Sequence, residues 1–347
     1  MKAVFLTAPG KFVLQNIPAP SLDKPTDVLL KIQAVGVCGS DIHYFKSGKI
    51  GDQIVQYPWI VGHECAAIVE AVGSAVTAVK PGDLVAIDPL VACGVCDQCR
   101  SNRRHTCRNQ RFLGCPGQMQ GCLSEYLIMP ADCCFPFTKR VSLNDAVLAE
   151  PLSIGVYAVS LMNQRQDTST AIGILGCGPI GLCVMTAAQA AEVKAIYATE
   201  RLDYRLAAAS RLGAAWIGNA EKVDVVAGVL GQQPCGLDAV FDCSGDQQAF
   251  DQAIQLLKPG GTFFIVGIPD TDRISFDISS MRRKEIAIQN VRRQNECVEK
   301  AIALIESGKI KTEALVTHQF ALSQTQEAFE AVADYRDGVI KGVIRFD

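Results

Sequence analysis

Three groups of residues in this sequence have types and spacings that can do chemistry. The first is Cys93-Gly-Val-Cys96-Asp-Gln-Cys99, followed after seven intervening residues by Cys107. Two C-x-x-C steps let a loop fold back so that its sulfurs converge. The fourth thiol closes a tetrahedron, which is the ligand set of a structural zinc ion. An iron–sulfur cluster suits this spacing less well. Arg100, Arg103, Arg104 and Arg108 lie in or beside the loop and are expected to offset the residual negative charge of four thiolates on Zn²⁺. The second group is Gly176-Cys-Gly178-Pro179-Ile180-Gly181, with the G-x-G-x-x-G spacing of a dinucleotide loop. Gly176 permits a tight turn, Gly178 lets the backbone approach a pyrophosphate, and Gly181 lets helix and strand pack closely. Pro179 and Ile180 open a helix whose unpaired N–H groups face the phosphates. Glu200 stands 19 residues after Gly181. A carboxylate there accepts hydrogen bonds from ribose hydroxyls and repels a 2′-phosphate, favouring NAD. Arg201 and Arg205 pull the other way, and Arg205 is counted among the cofactor contacts. The third group is dispersed: Cys38, Ser40, Asp41, His43 and Tyr44, then His63-Glu64, then Glu150-Pro151. Cys, His and carboxylate are the ligand types of an open catalytic zinc site. Spacing alone does not decide, because Cys38 equally suits buried packing and His63-Glu64 a local ion pair.

The elements around these groups fall into two patterns. Up to about residue 150, short β runs are broken by Gly and Pro: 2–7, 12–17, 28–37, 66–72 and 84–87. This predicts an all-β module with long loops. Thereafter strands alternate with helices. Strands are expected at 171–175, 195–199, 237–241 and 262–266. Helices are expected at 180–191, 202–212 and 248–257, the second stopping at Gly213. Such alternation implies βαβ units and a parallel sheet. A helix at 296–305 and a strand at 339–346 follow, so boundaries are expected near 155 and near 290.

With 347 residues, 49% hydrophobic and 20% charged at net −3, the composition is that of a soluble globular protein of about two domains. The mild acidity argues against nucleic acid as a partner. The uncharged run 171–191 is long enough to raise a membrane span, but five helix-breaking residues crowd its first eleven positions. The start of the chain has too short an apolar stretch for a secretory signal. Fifteen cysteines are then expected in a reducing, cytoplasmic setting, where metal binding or packing replaces disulfides.

Taken together, these residues resemble the zinc-dependent medium-chain dehydrogenases, and among them the sorbitol (polyol) dehydrogenases, essentially end to end. The most specific pieces are 37–44, 48–55, 62–64, Glu150 to Gly155, the Gly176 loop and Val316-Thr-His318. The resemblance implies an α/β fold. A GroES-like β-barrel catalytic domain would take 1–155 and 291–347, and a Rossmann doubly wound parallel-sheet NAD-binding domain 156–290. It implies two zinc ions per chain, with Cys38, His63 and Glu64 on the catalytic one and Glu150 as a fourth or water-mediated ligand. Ser40 would bond the reacting hydroxyl and His43 would pass its proton toward solvent. Tyr44, Ile50, Phe112, Arg292 and Arg293 would line the substrate pocket. The implied reaction is hydride transfer from a secondary alcohol of a polyol or sugar-derived substrate to NAD, in a homo-oligomer, tetramer or dimer. The chain departs from the family at Ala67, where glycine is usual, at Cys65, and at Arg293, where an aromatic is usual. The two arginines keep sugar acids and sugar phosphates open as substrates. Threonine-type oxidation and a non-catalytic zinc- and nucleotide-binding role are the other readings carried forward.

Overall fold

The computed structural model describes residues 1–163, 171–269, 271, 273–310 and 312–346. The chain forms two units. The first is Met1–Glu150 with Val298–Gly308 and Val316–Asp347, and the second is Pro151–Cys297 with Lys309–Leu315.

The first unit opens with the hairpin β1 (Lys2–Ala8) and β2 (Lys11–Asn16). β3 (Asp27–Gly36) leads into α1 (Gly39–Ser47), the small hairpin β4 (Lys49–Ile50) and β5 (Gln53–Ile54), and then β6 (Glu64–Val72). Next come β7 (Leu84–Ile87), β8 (Leu90–Val91), α2 (Asp97–Arg100), β9 (Arg111–Phe112), β10 (Tyr126–Pro130) and β11 (Cys134–Pro136). α3 (Leu143–Asn163) begins in this unit and continues into the second.

The second unit contains β12 (Ala171–Leu175), α4 (Pro179–Ala190), β13 (Ala195–Glu200), α5 (Asp203–Arg211), β14 (Trp216–Asn219) and α6 (Val225–Gln232). It continues with β15 (Leu237–Asp242), α7 (Gln247–Leu256), β16 (Leu257–Ile265), α8 (Ile278–Lys284) and β17 (Ala287–Asn290). The first unit then resumes with α9 (Val298–Glu306), β18 (Val316–Ala321), α10 (Thr325–Ala333) and β19 (Lys341–Arg345).

The main sheet of the first unit runs β11-β7-β6-β3-β19-β18, and β10 also pairs with β3. β3 can serve three neighbours because it is bulged. Its register against β6 shifts at Leu29/Leu30 and at Ile32/Ala34, and such bulges bend a strand. On its other edge β10 takes Asp27 to Lys31 and β19 takes Ala34 to Gly36. The core beneath includes an aromatic trio. Phe12 stacks on Phe45 at 5.4 Å, and Phe329 meets them at 4.6 and 5.6 Å. Burying each ring stabilises by about 1.5–3 kcal/mol. Because Phe45 is on α1 and Phe329 on α10, this trio fixes the helix that starts at Cys38.

The second unit is a parallel sheet in the order β14-β13-β12-β15-β16-β17. In order of appearance that is 3-2-1-4-5-6, the doubly wound arrangement whose switch point lies beside the first strand. β12 is buried at every position, as a central parallel strand must be. Asp224, Asp246 and Asp277 cap α6, α7 and α8 through their side chains. The run 171–191 is therefore a strand, a turn and a helix.

One expectation needs correction. The first unit is not all-β with loops, because α1 lies within it. The units divide between Glu150 and Pro151, and α3 runs unbroken through both. They divide again between Cys297 and Val298. A 20-residue stretch of α3, Leu143–Met162, is long and apolar enough to cross a membrane, but 67% of its apolar window is buried in the protein, as in a core helix.

Candidate functional site

α1 begins at Cys38, whose extended backbone caps the helix. Three positions on, the Asp41 carboxylate turns back to accept from Cys38 N at 3.3 Å. Its other oxygen accepts from Gly62 N at 3.2 Å and lies 3.5 Å from His63 Nδ1. Asp41 is only 1% exposed. A carboxylate that deep needs such partners, and these three tie the helix start to the segment carrying His63 and Glu64. One donor atom each from Cys38, His63 and Glu64 lies within 4.8 Å of the others. Burial by itself would lower the His63 imidazole. The Asp41 carboxylate and the Cys38 sulfur outweigh it and hold His63 well above its ordinary range. The site thus has the donor types and the negative field that suit a divalent cation such as zinc.

Glu64 stands opposite Gly36 in the β3–β6 register. A side chain at Gly36 would run into Glu64 Oε2, so only glycine leaves room for the carboxylate. Both Glu64 oxygens are engaged by Lys341 Nζ, at 2.7 and 2.5 Å, and the same ammonium donates to Val37 O at 3.2 Å. Glu64 and Lys341 are each 1% exposed. Sequence reasoning missed Lys341, which enters from β19, 277 residues away. Glu150 is buried on α3 and lies outside the close group. Burial pushes its carboxyl up to about 7, with Glu64 and Asp88 adding to the rise and His63 and Lys341 opposing it.

Of the remaining expected residues of the first unit, Ser40 and Phe112 touch this group. Ser40 Oγ donates to Cys38 Sγ at 3.4 Å. His43 is half-buried one turn further along α1. The Phe112 ring is 5.3 Å from the His63 ring. Tyr44 is buried, and its hydroxyl donates to Gln53 Oε1 at 2.9 Å. Ile50 packs at the margin of the core. Arg292 and Arg293 follow β17 in the second unit, Arg292 exposed and Arg293 half-buried with a left-handed φ of 53°. Cys65 is buried beside Cys122, whose thiol is pushed up by burial and by its Cys65 neighbour.

In the cysteine lobe, Cys96 and Cys99 sulfurs are 3.5 Å apart, Cys96 and Cys107 3.9 Å, and Cys93 and Cys99 4.0 Å. A zinc–sulfur bond of about 2.3 Å gives a tetrahedron edge of about 3.8 Å. These separations therefore fit a shared metal and are far too long for disulfides. Backbone N–H groups of Cys99 and Arg108 draw the Cys96 thiol down to about 6, whereas burial and the neighbouring sulfurs push Cys99 up to about 12. Four sulfurs this close cannot all ionise without a cation. Arg108 grips Asp97 with two bonds at 2.5 and 2.9 Å, and Arg104 pairs with Asp132 at 2.6 Å. These pairs brace the lobe, and the Arg108 guanidinium also interacts electrostatically with the Cys96 sulfur.

In the second unit, Gly176 turns with φ +98° at the end of β12. A Cβ at Gly181 would collide with Gly176 O, so the protein's own packing demands that glycine. At Gly178, the N-cap of α4, a Cβ would meet only Arg205 Nη1 at 3.4 Å. The space it leaves is open to a ligand, and Pro179 and Ile180 start the helix behind it. Glu200 ends β13 and accepts from the N–H groups of Cys177, Arg201 and Leu202 at 3.0, 2.7 and 3.2 Å. Arg205 Nη1 lies 3.7 Å from it, and Arg201 faces Asp246 at 3.7 Å. Strand order, glycine turn and helix start all fit a dinucleotide.

Comparison with known proteins agrees with this geometry. Residues 24–139 match the family model of the alcohol dehydrogenase GroES-like domain, and 179–307 that of the zinc-binding dehydrogenases. The chain is 34% identical to the sorbitol dehydrogenase of Bacillus subtilis, covering 99% of this chain and 97% of that one. It is 36% identical to the L-idonate 5-dehydrogenase of Vitis vinifera, covering 92% and 88%. Among solved structures, a zinc-binding dehydrogenase of Sinorhizobium meliloti 1021 bound to NADP superposes with a TM-score of 0.90 at 27% identity, covering 99% and 98%.

Proposed function

Because the chain belongs to the zinc-dependent medium-chain dehydrogenases and is sorbitol dehydrogenase-like, we propose that it oxidises a secondary hydroxyl of a polyol or sugar-derived substrate to the keto product with NAD. The observation that carries the reading is the convergence of Cys38, His63 and Glu64 from separate segments. In this reading the first unit is the catalytic domain and the second the cofactor domain. Cys38, His63 and Glu64 would hold a catalytic zinc, with Glu150 adding a carboxylate directly or through water. Cys93, Cys96, Cys99 and Cys107 would hold a structural one. When bound, the zinc supplies Lewis acidity that eases ionisation of the hydroxyl, and the nicotinamide supplies the hydride acceptor.

The chain's own residues do the rest. Asp41 fixes the His63 ring and the start of α1. Ser40, held at the Cys38 sulfur, takes the proton released by the substrate, and His43 hands it to solvent. Gly176, Gly178 and Gly181 seat the pyrophosphate at the start of α4, and Arg205 flanks it. Glu200 supports NAD over NADP, since its carboxylate repels a 2′-phosphate. Fifteen cysteines, none in a disulfide, support a reducing, cytoplasmic setting. A dimer or tetramer follows from the same family reading.

The test is NAD reduction across sorbitol, xylitol, ribitol, galactitol, threonine, L-gulonate and L-galactonate, with zinc measured on the same batch. Turnover of a neutral polyol at two zinc ions per chain is the expected result. Turnover of the acids alone would favour the sugar-acid reading, which the L-idonate 5-dehydrogenase relative supports. Silence with zinc bound would leave a non-catalytic zinc- and nucleotide-binding protein. Equal rates with NADP would remove the role given to Glu200.

A further inference from the structure

One wall of the first unit leads from the metal donors to a side chain with unused donors. The His63 and Phe112 rings are 5.3 Å apart. Phe112 packs with Leu90 and Cys115 in one small apolar cluster. The Cys115 sulfur is 3.9 Å from the Tyr44 hydroxyl, and that hydroxyl donates to Gln53 Oε1 at 2.9 Å. Gln53 opens β5 and is half-buried. A carboxamide whose oxygen is held by a buried tyrosine is fixed in rotation, and its remaining capacity is the two N–H donors of Nε2. No described residue accepts from Gln53 Nε2. Neither Tyr44 nor Cys115, the side chains beside Gln53, is a cation, and Lys341, behind Glu64, is engaged by both carboxylate oxygens. The complement to this wall is a neutral acceptor.

We propose that Gln53 determines specificity: its Nε2 donates to a hydroxyl oxygen of an open-chain polyol, on a carbon further along than the one that reacts. Tyr44 is the positioning residue that aims the amide. The assignment rests on the dehydrogenase reading above.

The zinc-loaded wild type, Gln53→Leu and Tyr44→Phe are compared on xylitol and on 2-butanol, which has the secondary alcohol and no further hydroxyl. In Gln53→Leu the KM for xylitol rises roughly three- to tenfold, the worth of one neutral hydrogen bond. The xylitol-to-2-butanol ratio of kcat/KM falls by the same factor. Tyr44→Phe shifts the ratio in the same direction by less, and gives a second reading if the leucine variant folds poorly. An unchanged ratio, or an equal fall on both substrates, overturns the assignment while leaving the dehydrogenase standing. Preference of the wild type for L-gulonate over xylitol overturns the neutral acceptor. A wild type that oxidises none of the three overturns the dehydrogenase reading and this one with it.

Discussion

Replacing Lys341 by methionine tests the construction of the site at its least visible point. The Lys341 ammonium donates to both Glu64 oxygens and to the Val37 carbonyl. Both charged partners are 1% exposed, so water cannot take over when one is removed. Methionine is close in length and shape, so little of the loss comes from a cavity. What remains is a carboxylate buried without its cation, a change that costs about 3–5 kcal/mol. For a domain of this size that corresponds to a melting temperature lower by roughly 10 °C. The decisive comparison is Lys341→Met with Glu64→Gln. Neutralising the stranded carboxylate should restore most of the loss, so the double variant should be more stable than Lys341→Met alone. The assay is urea unfolding of all four proteins after metal chelation, with the midpoint and slope fitted together. A loss below about 1 kcal/mol in Lys341→Met would refute the reasoning. So would a double variant no better than the single one.

Other outcomes follow from the same geometry. Gly181→Ala should destabilise the second unit, because its methyl meets Gly176 O, whereas Gly178→Ala should leave melting nearly unchanged and weaken NAD binding, read by fluorescence titration. Cys96→Ser should lose about one zinc per chain by metal analysis and leave the other in place, since the two donor groups are separate. Glu306 accepts from Thr138 and Lys139, and although its partial burial opposes ionisation, those bonds hold its carboxyl below the ordinary 4.5. A depressed carboxyl stabilises above its unfolded value and stops doing so as pH falls through its folded one. The stability gap between wild type and Glu306→Gln should therefore be full at neutral pH and close on acidification below 4.5, as followed by thermal melts.

What could be read in advance depended on how far apart the cooperating residues lie. The dinucleotide loop is six consecutive residues between a strand and a helix, and the cysteine lobe spans 15 positions, so local spacing carries both. The strand and helix flanking the glycine loop lie within a residue of where the sequence puts them. Cys38, His63 and Glu64 are brought together only by pairing of β3 with β6 and by the Asp41 tie, which no spacing rule contains. Lys341 has no local signal at all, because a lysine near a β run reads as a solvated charge until its partner is known. α1 carries no helical signal, because its buried residues, Asp41, Tyr44 and Phe45, make no apolar stripe of helical period. α3 is masked in the sequence by Pro151, which sits inside the helix. Gln53 has no signal of its own in the sequence, and the Tyr44 hydroxyl singles it out.

The order of the sheet in the first unit has a consequence for how the chain is made. β19 is an interior strand, lying between β3 and β18, and it carries Lys341. It is nevertheless encoded after the whole of the second unit. During synthesis the unit begun first is thus completed last. The parallel sheet has all six strands by residue 290, while the earlier strands still wait for their central neighbour. Vectorial synthesis, which ordinarily lets the leading domain fold first, here leaves it as an open edge. A stalled nascent chain that has emerged from the ribosome beyond residue 315 but not to 341 should have a later-made unit that resists protease and a first-made unit that does not.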